Sequence, residues 1–349
     1  MRAVLITRQA PKGPVAPHVE YVTDWADPGE PDPGELRVRA LATALNHMDL
    51  WTGMGIPGVE IGYPHIGGVD GCGIVESVGE GVDESWVGRG VVHNAAVEIP
   101  GSGRPGEPSA VNLAPEYWLI GEHSHGTHRE AWRIPAANAV DIGNSDPQQA
   151  AAIGLTALTA WSMMMTKGDL RPGQSVLITG IGGGVATAAL AIAHWRGCRI
   201  AVSSRSEAKL ARARELGAQF TILDEGQDWS RELRAWTNKR GVDMVIDTIG
   251  AHVLKPALRA LARGGAFLTA GTTAGPRAEL ELNRVFWNQL RIFGSTMGTN
   301  DEFREVMALF SAGELVPEID CVLPADRARE AWERLEAQEQ MGKIVLDWS

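Results

Sequence analysis

Cysteine is scarce in this chain of 349 residues, which holds three, Cys72, Cys198 and Cys321, far apart and odd in number. That spacing argues against a disulfide framework and leaves the reducing cytoplasm as the expected compartment. Tyrosine is equally rare, three residues against twelve tryptophans, so phenolic acids have few candidate positions and most of the indoles are expected in cores. No apolar run approaches the ~20 residues that a membrane-spanning helix requires. A concentrated basic patch is also missing: the net charge is −11 with the basic residues scattered, which argues against nucleic acid or an anionic membrane as partner. The opening MRAVLITRQAPKG lacks the apolar core of a signal peptide and reads as a first strand and turn. What is present, 44% hydrophobic and 21% charged residues over a length suited to two domains, is the composition of a soluble globular chain.

Two textures follow one another. Up to about residue 135 the chain is rich in Gly, Pro and short β-type runs: LRVRALATAL alternates, and GCGIVESVG is a strand between glycines. Then DPQQAAAIGLTALTAWSMMM reads as a helix, with Asp146 as cap and Pro147 as first helical residue. Strands and helices alternate from there through SVLITG, ATAALAIAHWRG, RIAVSS, SEAKLARARELG, FTILD, WSRELRAWTNKRG and VDMVIDTIG to HVLKPALRALARGG, AFLTAGTT and RIFGSTM. Such β-α-β order predicts a doubly wound parallel sheet covered by helices on both faces. The tail, with helices in EFREVMALFSAG and PADRAREAWERLEAQ and a strand in GKIVLDW, is expected to complete the first domain. The expected division is 1–135 plus 295–349 for one domain and 136–294 for the other.

SVLITGIGGGVATAALAIAHWRG reads as strand, glycine turn, helix. The dinucleotide fingerprint is imperfect: reading from Gly180 and Gly182 puts Val185 where a third glycine belongs, and shifting by one gives Ile181, Gly183 and Ala186. The run Gly182, Gly183, Gly184 would still let backbone N–H groups approach a pyrophosphate at a helix start, and a ligand-free turn is the alternative. At the end of the second strand an NAD site expects a carboxylate for the ribose hydroxyl. Here stand Ser203, Ser204 and Arg205, with Lys209 close by. A guanidinium, hydroxyls and an ammonium suit a 2′-phosphate, which points to NADPH, the alternative being a solvated helix start.

Together with LNHMDLW, PHIGGVDGCGIVESVGEGV, AAAIGLTALTAW, SSRSEAKLARARELGA, GVDMVIDTIG, FGSTMGT and MGKIVL, these residues make the whole chain resemble the medium-chain dehydrogenase/reductase superfamily, near its quinone reductase and enoyl reductase branches. The resemblance implies a Rossmann domain inserted into a discontinuous, partly open, GroES-like β-barrel, with the active cleft between them. It implies that Thr156, Val185, Thr248, Gly271, Thr272, Thr273, Met297, Gly298 and Lys343 lie along the cofactor with the three glycines, and that Thr299 lies beside them. Many similar proteins hold a catalytic zinc with a cysteine, a histidine followed by a glutamate, and a later cysteine or acid. The matching positions here are Asn46, Val69 followed by Asp70, and the surroundings of Ile153 and Gly154, which do not supply three ligands. The stretch matching the structural-zinc lobe, HNAAVEIPGSGRPGEPSAVNLAPEYW, has no cysteine. No metal is expected.

The stretch GEHSHGTHREAW raises that question again, with His123, His125 and His128 inside six residues. Their spacing does not place two ligands on one helix face, and no CxxC completes a tetrahedron. They read as an ordinary turn, with adventitious metal binding or a substrate contact by His128 as alternatives.

Without zinc, reduction of an isolated ketone lacks the Lewis acid that would hold its alkoxide. Conjugate reduction fits better, because its charge spreads onto an enolate oxygen that hydrogen bonds can stabilise. The resemblance makes Asn46 the first candidate for the nicotinamide pocket, a loop-capping role being the alternative. It places His47 near the cofactor phosphates and Trp51, where relatives often have a tyrosine, on a pocket wall. Asp49 and Asp70 read as structural acceptors or paired acids; His65, Tyr63 and Tyr117 are reserve proton donors. The expected protein is therefore an NADPH-dependent, zinc-free reductase of activated double bonds or quinones. An alcohol dehydrogenase or carbonyl reductase with a non-standard metal site, and a non-catalytic NADPH-binding protein, are the other readings. The resemblance also implies that RIFGSTM lies at a sheet edge and pairs with its twofold mate, so that Arg291, Ile292 and Phe293, otherwise an exposed and partly apolar edge, would be covered in a homodimer.

Overall fold

The structure, a computed structural model, describes residues 1–99, 111–114 and 117–349. Half of the cysteine-free lobe thus lies outside the described residues. The chain forms two compact units, Met1–Leu155 with Gly298–Ser349, and Thr156–Met297. The first boundary falls later than residue 135 for two reasons. Strand Ala139–Asp141 pairs antiparallel with Gly90–His93, and Leu155, within helix Pro147–Trp161, donates its N–H to the Asp70 carboxylate at 2.7 Å.

The first unit is built on strand Glu35–Ala44, which the alternation of LRVRALATAL anticipates. It pairs antiparallel with Asp70–Val78 along one edge. On the other edge its first half pairs with Ala131–Pro135 and its second half with the tail strand Lys343–Asp347. Register shifts at Arg37/Val38 and Ala40/Ala42 bend the strand and let it change partners, as bulges do in barrels. The tail completes this sheet, with Ile319–Pro324 parallel to Lys343–Asp347 at its edge. Helix Ala328–Glu336 buries Ala328, Ala331, Trp332 and Leu335, an i, i+3, i+4, i+7 stripe that seats it on the sheet.

The second unit is a six-stranded, wholly parallel sheet. Its order is Phe220–Leu223, Arg199–Ser204, Ser175–Ile178, Val242–Asp247, Leu261–Thr269, Arg291–Gly294. Numbered along the chain this is 3-2-1-4-5-6, the Rossmann order. Central strands such as SVLI are apolar on both faces because helices cover both. Trp229, Leu233, Phe267 and Leu177 are among the residues of its core. One expected helix is shorter than read. HVLKPALRALARGG forms a helix only over Ala251–Ala260, and Leu261 already pairs with Val242, so the strand claims LARGG. Strand Arg291–Gly294 lies at the sheet edge, as the sequence suggests.

Candidate active site

In the first unit, four of the singled-out residues meet in one buried network with Asp70. Asn46 ends the central strand's exit and caps helix His47–Met54, Asp70 opens its strand, and Lys343 opens the tail strand. Lys343 Nζ donates to Asn46 Oδ1 at 2.6 Å and lies 2.8 Å from Asp70 Oδ2. Asn46 Nδ2 donates to the same Asp70 oxygen at 2.9 Å. The other Asp70 oxygen takes the Leu155 N–H. Gly154 is what lets the helix come so close, because a Cβ there would stand 2.5 Å from Asp70 Oδ1. Lys343 is 3% exposed and Asp70 2%.

A second carboxylate adjoins this one in sequence terms through the cap. Asp49 Oδ2 accepts the Asn46 N–H at 2.7 Å and Oδ1 the Gly68 N–H at 2.8 Å. His128 Nε2 lies 3.3 Å from Oδ1, too far out of line for a good hydrogen bond. Burial pushes the Asp49 pKa up, but the facing His128 and the two N–H donors outweigh it and hold the carboxyl below its usual range. Behind His128, Trp348 Nε1 donates to Thr43 Oγ1 at 2.9 Å, and that hydroxyl lies 2.9 Å from His128 Nδ1. The ring rests edge-on against Trp332.

The three clustered histidines go to three places. His123 Nδ1 accepts the Leu119 N–H. His125 Nδ1 accepts the Ile66 N–H between Trp25 and His65. His128 enters the network above. Among the described residues no group of three His, Cys, Asp or Glu could hold a metal. The reserve donors are also committed: His65 Nε2 contacts Gly121 O at 3.1 Å, and Tyr63 donates to Thr52 O. His47 and Trp51 are half-buried on one side of their helix, ring against ring at 5.2 Å, and burial lowers the His47 pKa. Tyr117 lies half-buried in strand Tyr117–Leu119, which pairs antiparallel with Ala96–Glu98. The positions matching a zinc site fit zinc poorly, because Asn46 Oδ1 and both Asp70 oxygens already accept hydrogen bonds and a lysine ammonium supplies the positive charge.

In the second unit, Gly180 and Gly182 take left-handed φ values of 64° and 129° to turn strand Ser175–Ile178 into helix Gly184–Trp195. Its N-cap, Gly183, offers no side-chain cap, so the first-turn N–H groups of a twelve-residue helix are left for an anion. Lys209 lies across this turn: a Cβ on Gly182 would stand 2.6 Å from Lys209 Cδ and 3.0 Å from Nζ. Ser206 caps helix Glu207–Glu215. Ser203 turns inward and accepts the Gly180 N–H, so it braces the glycine turn, while Ser204 accepts the Ser206 N–H and Arg205 is exposed. These groups fit a phosphorylated dinucleotide. Thr248 and the Gly271–Thr273 turn are tied together, Thr273 donating to Thr248 O at 3.2 Å. Thr156 is buried, and Met297 takes a left-handed φ of 52° before Gly298. Sequence reading passed over Asp247. Burial pushes its pKa up, yet it accepts from Thr179, Thr269 and the Ile249 and Gly250 N–H groups, and so shapes the turns at the strand ends. An acid closing the apolar run VDMVID was the available signal.

Residues 32–144 match the model of the alcohol dehydrogenase GroES-like domain, and residues 184–312 that of the zinc-binding dehydrogenase. A zinc-type alcohol dehydrogenase-like protein of Schizosaccharomyces pombe is 30% identical over 93% of both chains. A 2-haloacrylate reductase from a Burkholderia species is 28% identical, covering 93% of this chain and 94% of the relative. A solved NAD-dependent alcohol dehydrogenase superposes with a TM-score of 0.92 at 37% identity, covering all of both chains.

Proposed function

The chain belongs to the medium-chain dehydrogenase/reductase superfamily and is an oxidoreductase of that type, and from that premise we propose that it reduces activated carbon–carbon double bonds or quinones with NADPH and without zinc. One observation carries the reading: Lys343 stands at 2.6 Å and 2.8 Å from the residues that match zinc-ligand positions. A neutral amide, a saturated carboxylate and an ammonium form a closed ion pair, not an open metal site. Support for the substrate class comes from the likeness to 2-haloacrylate reductase, whose named substrate is a conjugated acid. When bound, the dinucleotide supplies the hydride. The chain's own groups bind, orient and stabilise charge.

The cofactor reading rests on Arg205, Ser204 and Lys209, since Lys209 already lies over the turn that would meet the phosphates. The likeness to an NAD-dependent alcohol dehydrogenase points the other way, and favours alcohol oxidation as the competing outcome. A panel decides between them. Chelator-treated protein is assayed with NADPH or NADH against enones, quinones and acrylates, and with NAD⁺ or NADP⁺ against secondary alcohols. NADPH-driven reduction of the first group supports the reading. Alcohol oxidation restored only by added zinc overturns it.

We also propose a homodimer in the cytoplasm. Strand Arg291–Gly294 leaves a free edge, and Leu282, Phe286 and Trp287 beside it are 68%, 68% and 71% exposed. A second copy paired along this edge would cover both. Ile292→Pro should yield monomers by light scattering, and a monomeric parent protein would refute the dimer. No helix among the described residues is long and apolar enough to cross a membrane.

A further inference from the structure

The basic residues that lie scattered along the sequence are gathered at one place in the second unit. Arg231 and Arg234 stand about one turn apart on helix Ser230–Trp236, Arg259 near the end of helix Ala251–Ala260, and Arg284 on helix Leu282–Asn288. All four line one cavity of about 490 Å³, together with Asp228 and Asn288. That volume falls within the few hundred cubic ångströms usual for small-molecule sites. The side chains are reachable: Arg231 is exposed, and Arg259 and Arg284 keep 33% and 32% of their surface. The cavity is also separate from the glycine turn. Arg234 reaches Leu261, where a strand of the parallel sheet begins, and Asn288 ends its helix just before strand Arg291–Gly294. The glycine turn and the Gly271–Thr273 turn follow strand ends instead, at the opposite end of that sheet.

Two carboxylates serve these four guanidinium groups. Asp228 lies 2.7 Å from Arg259, and Glu281 lies 3.4 Å from Arg259 and 3.3 Å from Arg284. Arg234 has no carboxylate: it donates to the carbonyl oxygens of Leu261, at 3.0 Å, and of Lys239, which orient its plane without neutralising its charge. Arg231 has neither a hydrogen bond nor an ion pair among the described residues. The cavity thus carries an excess of positive charge in a chain whose net charge is −11. Like charges one turn apart on a helix repel, so folding alone gives no reason to place them there. A bound anion would offset that repulsion.

We propose that this cavity is a second anion site, distinct from the dinucleotide turn, and that it binds a small molecule bearing two adjacent phosphates. A guanidinium presents paired N–H donors that match the oxygens of a phosphate. Two phosphates match the two guanidinium groups that no carboxylate neutralises, Arg231 and Arg234. Arg259 and Arg284, held in place by Asp228 and Glu281, border the same space. The site is independent of the reaction proposed above.

The test titrates inorganic pyrophosphate into the full-length protein at low ionic strength. Calorimetry gives the affinity, and hydrogen exchange read by mass spectrometry locates the ligand. Protection should appear over residues 228–236 and 282–288, and inorganic phosphate should bind more weakly than pyrophosphate. Arg231→Gln breaks no hydrogen bond or ion pair, so its melting temperature should match the parent's while its affinity falls roughly tenfold, the worth of one charged hydrogen bond. Adding Arg284→Gln should weaken binding further. Arg205→Gln, beside the glycine turn, should leave the protection of these helices unchanged. Absence of that protection in the parent, or an unchanged affinity in Arg231→Gln and in the double variant, overturns the proposal. Protection confined to the glycine turn and lost with Arg205→Gln overturns it too. Tighter binding of oligoglutamate than of pyrophosphate would assign the surface to an acidic polypeptide and overturn the small-molecule site.

Discussion

Lys343 and His93 are both 3% exposed and belong to the same unit, yet they meet burial in opposite ways. The lysine donates to Asn46 Oδ1 and Asp70 Oδ2, and the Asp70 oxygen also accepts from Asn46 Nδ2. The histidine has no partner at either nitrogen. The lysine network is complete without any ligand, so it reads as the brace that fixes the central strand, the tail strand and the first helix. The two residues thus carry opposite sensitivities: the ion pair to losing a partner, the imidazole to gaining a proton.

The comparison breaks most readily at the lysine. Lys343→Met strands the Asp70 charge, and it should cost about 3–5 kcal/mol in urea unfolding, as removal of one partner of a buried pair does. Pairing it with Asp70→Asn should restore part of that loss. An unchanged midpoint in the single variant would mean the network does not brace the fold.

The histidine should show its cost as a pH dependence. Its folded pKa, about 4, lies below the unfolded value of about 6.5, so the unfolded chain binds more protons between those limits. Stability is therefore full above pH 6.5 and declines as pH falls toward 4, by ~3 kcal/mol from this residue. His93→Phe should remove that share of the slope. Some slope should remain, because burial pushes His125 down to about 4 as well. Identical pH profiles for parent and variant would contradict the unpaired, neutral ring.

A smaller effect sharpens the comparison in the second unit. Arg205→Ala should weaken NADPH binding by roughly 1.5–3 kcal/mol, the worth of a charged hydrogen bond, while leaving NADH binding nearly unchanged. Calorimetric affinities for the two cofactors check it. Equal affinity in the parent protein would remove the 2′-phosphate from the account.

Much of the fold was open to sequence reading because it is written in local periodicity and punctuation. Alternation marked Glu35–Ala44, double-sided apolar runs marked the parallel strands, and glycines marked the turn before helix Gly184–Trp195. The boundary after Leu155 was not, because a helix that looks continuous in sequence is claimed at its first half by Asp70. The site was half visible. Asn46, Asp49, His128 and Lys343 could be singled out one by one, but that they share one network depends on strands brought together from both ends of the chain. Ser203 looked like a phosphate ligand and turns inward instead, since strand pleating alternates direction and sequence does not say which face a terminal residue takes. His93 was invisible. Nothing in GVVHNAAV distinguishes a histidine paired in a core from one left without partners, and only the packed neighbours make that difference.

The most direct measurement follows the hydrogen. Chelator-treated protein is given NADPH deuterated at the transferable C4 position together with 2-cyclohexenone, and the product is read by NMR. Deuterium on the β-carbon of cyclohexanone, with the carbonyl intact, is the result predicted here. Deuterium on the carbinol carbon of an allylic alcohol, or turnover that appears only after zinc is restored, would contradict it.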